Sequence, residues 1–329
     1  DRIDYANDTS APSIKGSFNV NRKLVGAVSN TTHGYWAGGD VYSSIDRITF
    51  ANDTATATIK GKLDQPRYIL GASGNASYGW VSGGYEGGFS YSRIYRIDYS
   101  NDSAETALRG FLSNPLNRFQ GGSQTGNANY GWYGGDNAYS SYVQRIDYSN
   151  DSTTTSPKGS LSSGRGYLGA TGSSSFGYFA GGEPGAKTTI DRIDYANDTS
   201  NASPKGNLAT GKYWCAAASG LANALPETVI KTIDKGADGY TVTTTSEGPA
   251  MGYVMAGAYP YNFSTVDRID YSNDTAIAAV KGPLSAGTSY FAGVSNINYG
   301  YALGGTTGTS SSTKSTKIDR IDYGNDTAK

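Results

Sequence analysis

The chain has 329 residues, with 45 Gly and 27 Tyr against 10 Pro, 2 Met, one Cys and one His, a mixture that disfavours helices and suits short strands joined by tight turns. Its formal charge is −1, from 27 Lys and Arg against 28 Asp and Glu, with no basic run of the kind a nucleic-acid partner requires. Cys215 stands alone, so no intrachain disulfide can form, and no apolar run is long enough for a membrane helix or a secretory signal. In chain order, the first phrase met is Arg-Ile-Asp-Tyr-x-Asn-Asp-[Thr/Ser], at Arg2. It recurs at Arg47 (as Arg-Ile-Thr-Phe), Arg96, Arg145, Arg192, Arg268 and Arg320. A Lys-Gly or Arg-Gly pair follows 13 residues after each of the first six, at Lys15, Lys60, Arg109, Lys158, Lys205 and Lys281. Next comes Arg-x-x-x-Gly-Ala, at Arg22, Arg67, Arg118 and Arg165, and degenerately at Lys212 and Thr288. A Gly-aromatic segment ending in diglycine starts at Gly34, Gly79, Gly131, Gly177, Gly252 and Gly300. Because Asp1 falls inside a repeat, the chain is expected to belong to something longer.

Each phrase reads as one strand. Strand a is Arg-x-x-x-Gly-Ala, strand b the Gly-aromatic segment, strand c Arg-Ile-Asp-Tyr, and strand d the Thr/Ala-rich run before Lys-Gly. In strand c the period of two sets Arg and Asp on one face and Ile and Tyr on the other. The Asn-Asp pair that follows reads as a hairpin turn, since both residues tolerate left-handed backbone. Pro12, Pro157 and Pro204 mark strand d as an edge. Repeats of four strands at this period imply an all-β propeller, here of six four-stranded blades in one domain spanning 1–329. Seven c strands against six of the others imply closure by pairing of N- and C-terminal strands, with Thr9–Lys15 completing the blade begun by Thr288–Tyr323. The step from strand a to strand b is 40 residues in the fifth repeat against 12 in most others, so 221–251 holds an insertion that reads as a β-hairpin. If Thr232-Ile233-Asp234 is instead a decayed strand c, the ring has seven blades.

The order Arg-x-x-x-Gly-Ala, Gly-Tyr-x-x-Gly-Gly, variable loop, and a strand ending near Asp-Tyr resembles the kelch repeat, although the usual late Trp is replaced by strand d. The phrase Arg268–Thr275, with Lys-Gly-Pro-Leu-Ser at Lys281–Ser285, is also similar to kelch-like repeats in virion and tail-fibre-associated proteins of marine tailed phages. That resemblance implies a structural or binding component of a phage virion, carried on the particle surface. Its partners would be other virion proteins, or a glycan or protein of the host surface. The alternative is a cytoplasmic kelch-type scaffold for protein–protein interaction.

In an up-and-down meander the a–b and c–d turns share one face of the disc, and the b–c and d–a connections share the other. The b–c loops vary in length and are rich in aromatic residues: Tyr42; Tyr85, Phe89 and Tyr91; Tyr139 and Tyr142; Tyr259, Tyr261 and Phe263. Tyr beside Ser, Gly and Asn gives large contact area at small entropy cost, so these residues are the candidate binding surface. The turns at Asn7, Asn52, Asn101, Asn150, Asn197, Asn273 and Asn325 match the glycosylation sequon, which matters only in a secreting eukaryote, because turn chemistry accounts for each. The repeated Asp of strand c could suggest a calcium ring, but the Arg two residues before it favours ion pairing within or between blades. With His33 the only histidine and Cys215 reading as a core residue, no catalytic set, metal site or cofactor is expected.

Overall fold

The computed structural model describes residues 17–113, 124–136, 138–219, 227–233, 240–246, 251–258, 261–295, 299–307, 314–315, 317–322 and 327–328. Among them, antiparallel strands make six four-stranded blades, the second carrying a further short strand, Phe89–Ser90. Blade 1 is Gly26–Ser29 (a), His33–Ala37 (b), Ser44–Thr49 (c) and Thr58–Lys62 (d). The a strands of blades 2 to 6 are Tyr68–Gly74, Gln124–Gly126, Gly169–Gly172, Ala216–Ser219 and Ala292–Ser295. Each a strand lies against the next, and the sixth lies against the first, so they line a central channel. Pro157 and Pro204 sit in d strands that pair only with strand c, as an edge position demands.

The seven-blade alternative is overturned. Thr232 and Ile233 lie in a strand, Glu227–Ile233, that pairs only with Tyr240–Ser246 in a two-stranded sheet apart from the blades. At the seam, Thr9–Lys15 lies outside the described residues, but its continuation is visible. Ala57 N–H donates to the Ser17 carbonyl, as Thr106 N–H donates to Lys62 and Thr155 N–H to Phe111 at the junctions that follow. Ser17 therefore stands where the end of strand d stands in blades 1 to 4. Phe18 packs beside Leu303 and Ile318 of blade 6 and Trp36 of blade 1. Thr327–Ala328 adds a short strand to the end of strand c in blade 6.

Strand c explains why both faces of each blade are buried. Its two isoleucines are three residues apart, so an alternating strand sends them to opposite faces. Ile45 packs with Leu70, Val81 and Tyr95 of blade 2, while Ile48 packs with Val294 and Tyr301 of blade 6. The core is thus a series of layers between blades rather than one central mass. Burying each such side chain contributes about 1.5–3 kcal/mol.

The Asn-Asp turn is built differently from the hairpin expected of it. Tyr-x-Asn forms one turn of 3-10 helix at Phe50–Asn52, Tyr99–Asn101, Tyr148–Asn150 and Tyr195–Asn197, and the following Asp is right-handed (Asp102 φ −74°, ψ −2°). In blades 2 to 4 the Asp of strand c also caps this turn, whereas in blade 1 Thr49 precedes the same turn without a side-chain cap. Asp98 Oδ1 accepts from Ser100 N–H at 2.9 Å and from its hydroxyl at 2.6 Å, which holds that carboxyl below its usual range.

Candidate binding face and channel mouth

The charged residues of the repeat are spent on joining blades. Asp151, from the turn of blade 3, accepts from Trp80 Nε1 at 2.9 Å and Arg96 Nη1 at 3.0 Å, with Arg109 Nε 3.5 Å away, all from blade 2. The same three-residue clamp holds Asp198 through Trp132, Arg145 and Lys158, and Asp102 through Tyr35, Arg47 and Lys60. Stacking reinforces it: Tyr148 lies 3.9 Å from Trp80, and Phe50 lies 5.2 Å from Tyr301 across the seam. The expected interblade ion pair of strand c therefore exists, but its Arg pairs with the Asp of the next blade's turn. The Asp of strand c caps the turn instead.

A second set of charges underlies the opposite face, where the b–c and d–a connections meet. Arg22, just before strand a, is fully buried and bonds Gly38 O, Ser44 and Asp46 of its own blade. Arg165 with Asp191 (2.7 Å) and Lys212 with Asp267 repeat the arrangement. In blade 2, Arg67 meets Tyr95 at 3.0 Å and Asp64. Burial lowers the Arg22 pKa and raises that of Asp46. Blade 6 breaks the pattern: Thr288 replaces the cation, while Asp319 remains, buried and pushed upward in pKa by desolvation.

These pairs explain part of the aromatic loop composition. Tyr42 lies under the Arg22 guanidinium (5.2 Å), Tyr91 under that of Arg67 (4.5 Å), and the Tyr142 hydroxyl is 3.1 Å from Ser113. Tyr85 packs edge-on against Tyr68 and, like Phe263, is partly buried. Phe89, Tyr139 and Tyr261 are the exposed members of the expected surface. Tyr139 donates to Glu183 Oε2 at 2.7 Å, and that bond lifts its pKa to about 12. Tyr259 lies outside the described residues, as do Asn7 and Asn325.

The channel mouth, on this same face, was not legible in the repeat. Two residues after each buried cation stand Leu24, Ile69, Tyr167 and Trp214, and two after Thr288 stands Tyr290, all with left-handed backbone (φ 62°, 61°, 58°, 52° and 59°). Such a conformation costs roughly 1–3 kcal/mol per residue and is unusual above all for β-branched Ile69. It persists because four of the five amides reach the neighbouring blade. Trp214 N–H donates to Tyr167 O, Tyr290 to Trp214, Leu24 to Tyr290 and Ile69 to Leu24, at 2.6–3.3 Å, so the bonds run unbroken across the seam. Nothing in Leu, Ile, Tyr or Trp advertises this backbone. The available signal was their common offset from the repeated cation.

Three aromatic members form one arc: Trp214 lies 4.1 Å from Tyr290 and 5.2 Å from Tyr167, with Tyr213 4.8 Å away. Below them a cavity of about 120 Å³ runs to a waist formed by Ala27, Ala72, Gln124, Ala170, Ala217 and Gly293, and a second of about 60 Å³ continues beyond it. Cys215 also lines the upper cavity and sits in the hydrophobic core, where burial raises its thiol pKa to about 11. His33 lies 2.7 Å from the Thr32 hydroxyl on the other face, and its pKa is lowered by burial and by Arg47. Among the described residues no group of three or more His, Cys, Asp or Glu could hold a metal ion, and no helix is long and apolar enough to cross a membrane.

No protein-family model matches the chain, and no curated protein matches it. Among solved structures it is similar to YjhT, with a TM-score of 0.73 at 10% sequence identity, over 96% of this chain and 99% of that one. At that identity the likeness shows a shared β-propeller fold and nothing of chemistry.

Proposed function

We propose that the chain is a non-enzymatic binding component of a tailed-phage virion, presenting the face of the b–c and d–a connections to a glycan or protein of the host surface. One observation carries this reading. Exposed aromatic side chains collect there, at Phe89, Tyr139 and Tyr261, and Tyr167, Trp214 and Tyr290 line the open end of the channel. Among the described residues the other face offers little of the kind. Its polar groups cap their own turns, as Asn30 does for Thr32 and His33, and Asn75 for Ser77 and Tyr78. The virion setting is supported by the sequence phrase at Arg268–Thr275. Mass spectrometry and antibody labelling of purified particles should find the chain on the particle exterior, and particles carrying Phe89→Ala, Tyr139→Ala and Tyr261→Ala together should adsorb poorly to host cells. Absence of the chain from particles, or full adsorption by the triple variant, would refute the proposal.

A further inference from the structure

We propose that the hairpin of Glu227–Ile233 and Tyr240–Ser246 is a dimerisation arm. A second copy of this chain pairs antiparallel along the free edge of Glu227–Ile233, with Val229 opposite the same residue of the copy; this does not depend on the binding role proposed above. Stability is the first argument. The hairpin is a sheet of two strands that pairs with no other described strand. Two-stranded ribbons are marginal in water, and a sheet stands by itself only with three or more strands and an apolar face. By alternation, Val229, Ile233, Tyr240 and Val242 lie on one face of the ribbon, while five of the six residues of the other face are Thr. Residues directly opposite each other share a face, so the proposed register merges the two apolar faces into one face of a four-stranded sheet.

Charge is the second argument, and it selects the partner. The strand Glu227–Ile233 carries two charged residues, Glu227 and Lys231, placed symmetrically about Val229. A twofold axis at Val229 therefore sets Glu227 of each copy opposite Lys231 of the other, twice. Opposite charges at directly opposed positions stabilise antiparallel pairing, and like charges there weaken it. Lys on a free edge ordinarily discourages a second strand, but this register turns it into an attraction. Pro226 precedes the strand in sequence and has no N–H to give, so pairing starts at Glu227 and, by symmetry, ends at Lys231. The other edge, Tyr240–Ser246, has no charge to select a register. Among the blades, Pro157 and Pro204 stand in the edge strands of blades 3 and 4. The contact is isologous and closes at two copies along this edge. Because the hairpin enters between strands a and b of blade 5, the association does not use the face of the b–c and d–a connections.

The test is sedimentation equilibrium of the full chain over a wide range of concentration. The wild type should dimerise. A chain with 220–250 replaced by the three-residue connection of blade 1 should be monomeric and keep the melting temperature of the ring within a few degrees. Glu227→Lys and Lys231→Glu, each alone, set like charges opposite each other at both pairs and should raise the dimer dissociation constant roughly tenfold or more. An equimolar mixture of these two variants should associate as the wild type does, since each copy then carries the charges that the other lacks. Misfolding of either variant could not be rescued in this way. A monomeric wild type, or a dimer that survives removal of the hairpin, would overturn the inference. So would unchanged association of either single variant, as pairing through Tyr240–Ser246 would give, or failure of the mixture to associate. Each of these results leaves the attachment role standing, whereas particles lacking the chain remove that role and leave the dimer untouched.

Discussion

Asp151 shows what a single residue does for the ring. It is 8% exposed and neutralises two cations of the preceding blade while accepting an indole N–H. Asp151→Asn leaves Arg96 and Arg109 facing an uncharged group in a largely desolvated junction, and should cost about 2–4 kcal/mol, read as a lower urea midpoint. Asp319 makes the opposite case. Burial without the cation that its counterparts possess raises its folded-state pKa, so the folded state holds its proton more tightly than the unfolded one. The resulting penalty is absent below the ordinary carboxylate pKa of about 4 and grows as pH rises through the raised value. Asp319→Asn should therefore melt above the wild type at pH 7, with the difference vanishing near pH 3.

At the scale of elements, the repeat was readable because every blade solves the same problem. The alternation of Arg-Ile-Asp-Tyr in strand c, the prolines of strand d and the constant step to Lys-Gly all report local geometry, and local geometry is what a periodic sequence encodes. Partners far along the chain were not readable. Arg96 is two residues from Asp98, yet it bonds Asp151, because the strand Asp is consumed by the amide and hydroxyl of Ser100. The candidate surface was only partly legible for the same reason: Tyr42 and Tyr91 look like free loop aromatics until the buried guanidinium groups above them are located. The hairpin Glu227–Ile233 with Tyr240–Ser246 enters between strands a and b of blade 5, opposite the channel mouth by topology. Replacing 220–250 by the three-residue connection of blade 1 should leave the melting temperature within a few degrees and acrylamide quenching of Trp214 unchanged.

The whole molecule is a closed ring in which each junction repeats a hydrophobic layer and, where both partners are described, a carboxylate clamp. Such a ring carries strain well: the left-handed residues at the channel mouth are held by the bonds between blades, including those that cross from Tyr290 to Leu24 at the seam. Rigidity there means that a ligand meets preformed walls, and that affinity is not diminished by ordering the site. It also divides the disc into two unequal faces, one of self-capped turns and one of exposed aromatics around an opening. The most direct test of that division is hydrogen exchange on the purified chain with and without a bacterial surface polysaccharide. The account predicts slowed exchange at 22–24, 67–70, 138–142, 165–168, 212–215 and 288–291, with no change at the turns 50–53, 99–102, 148–151 and 195–198. Protection of those turns with the channel mouth unaffected would contradict it.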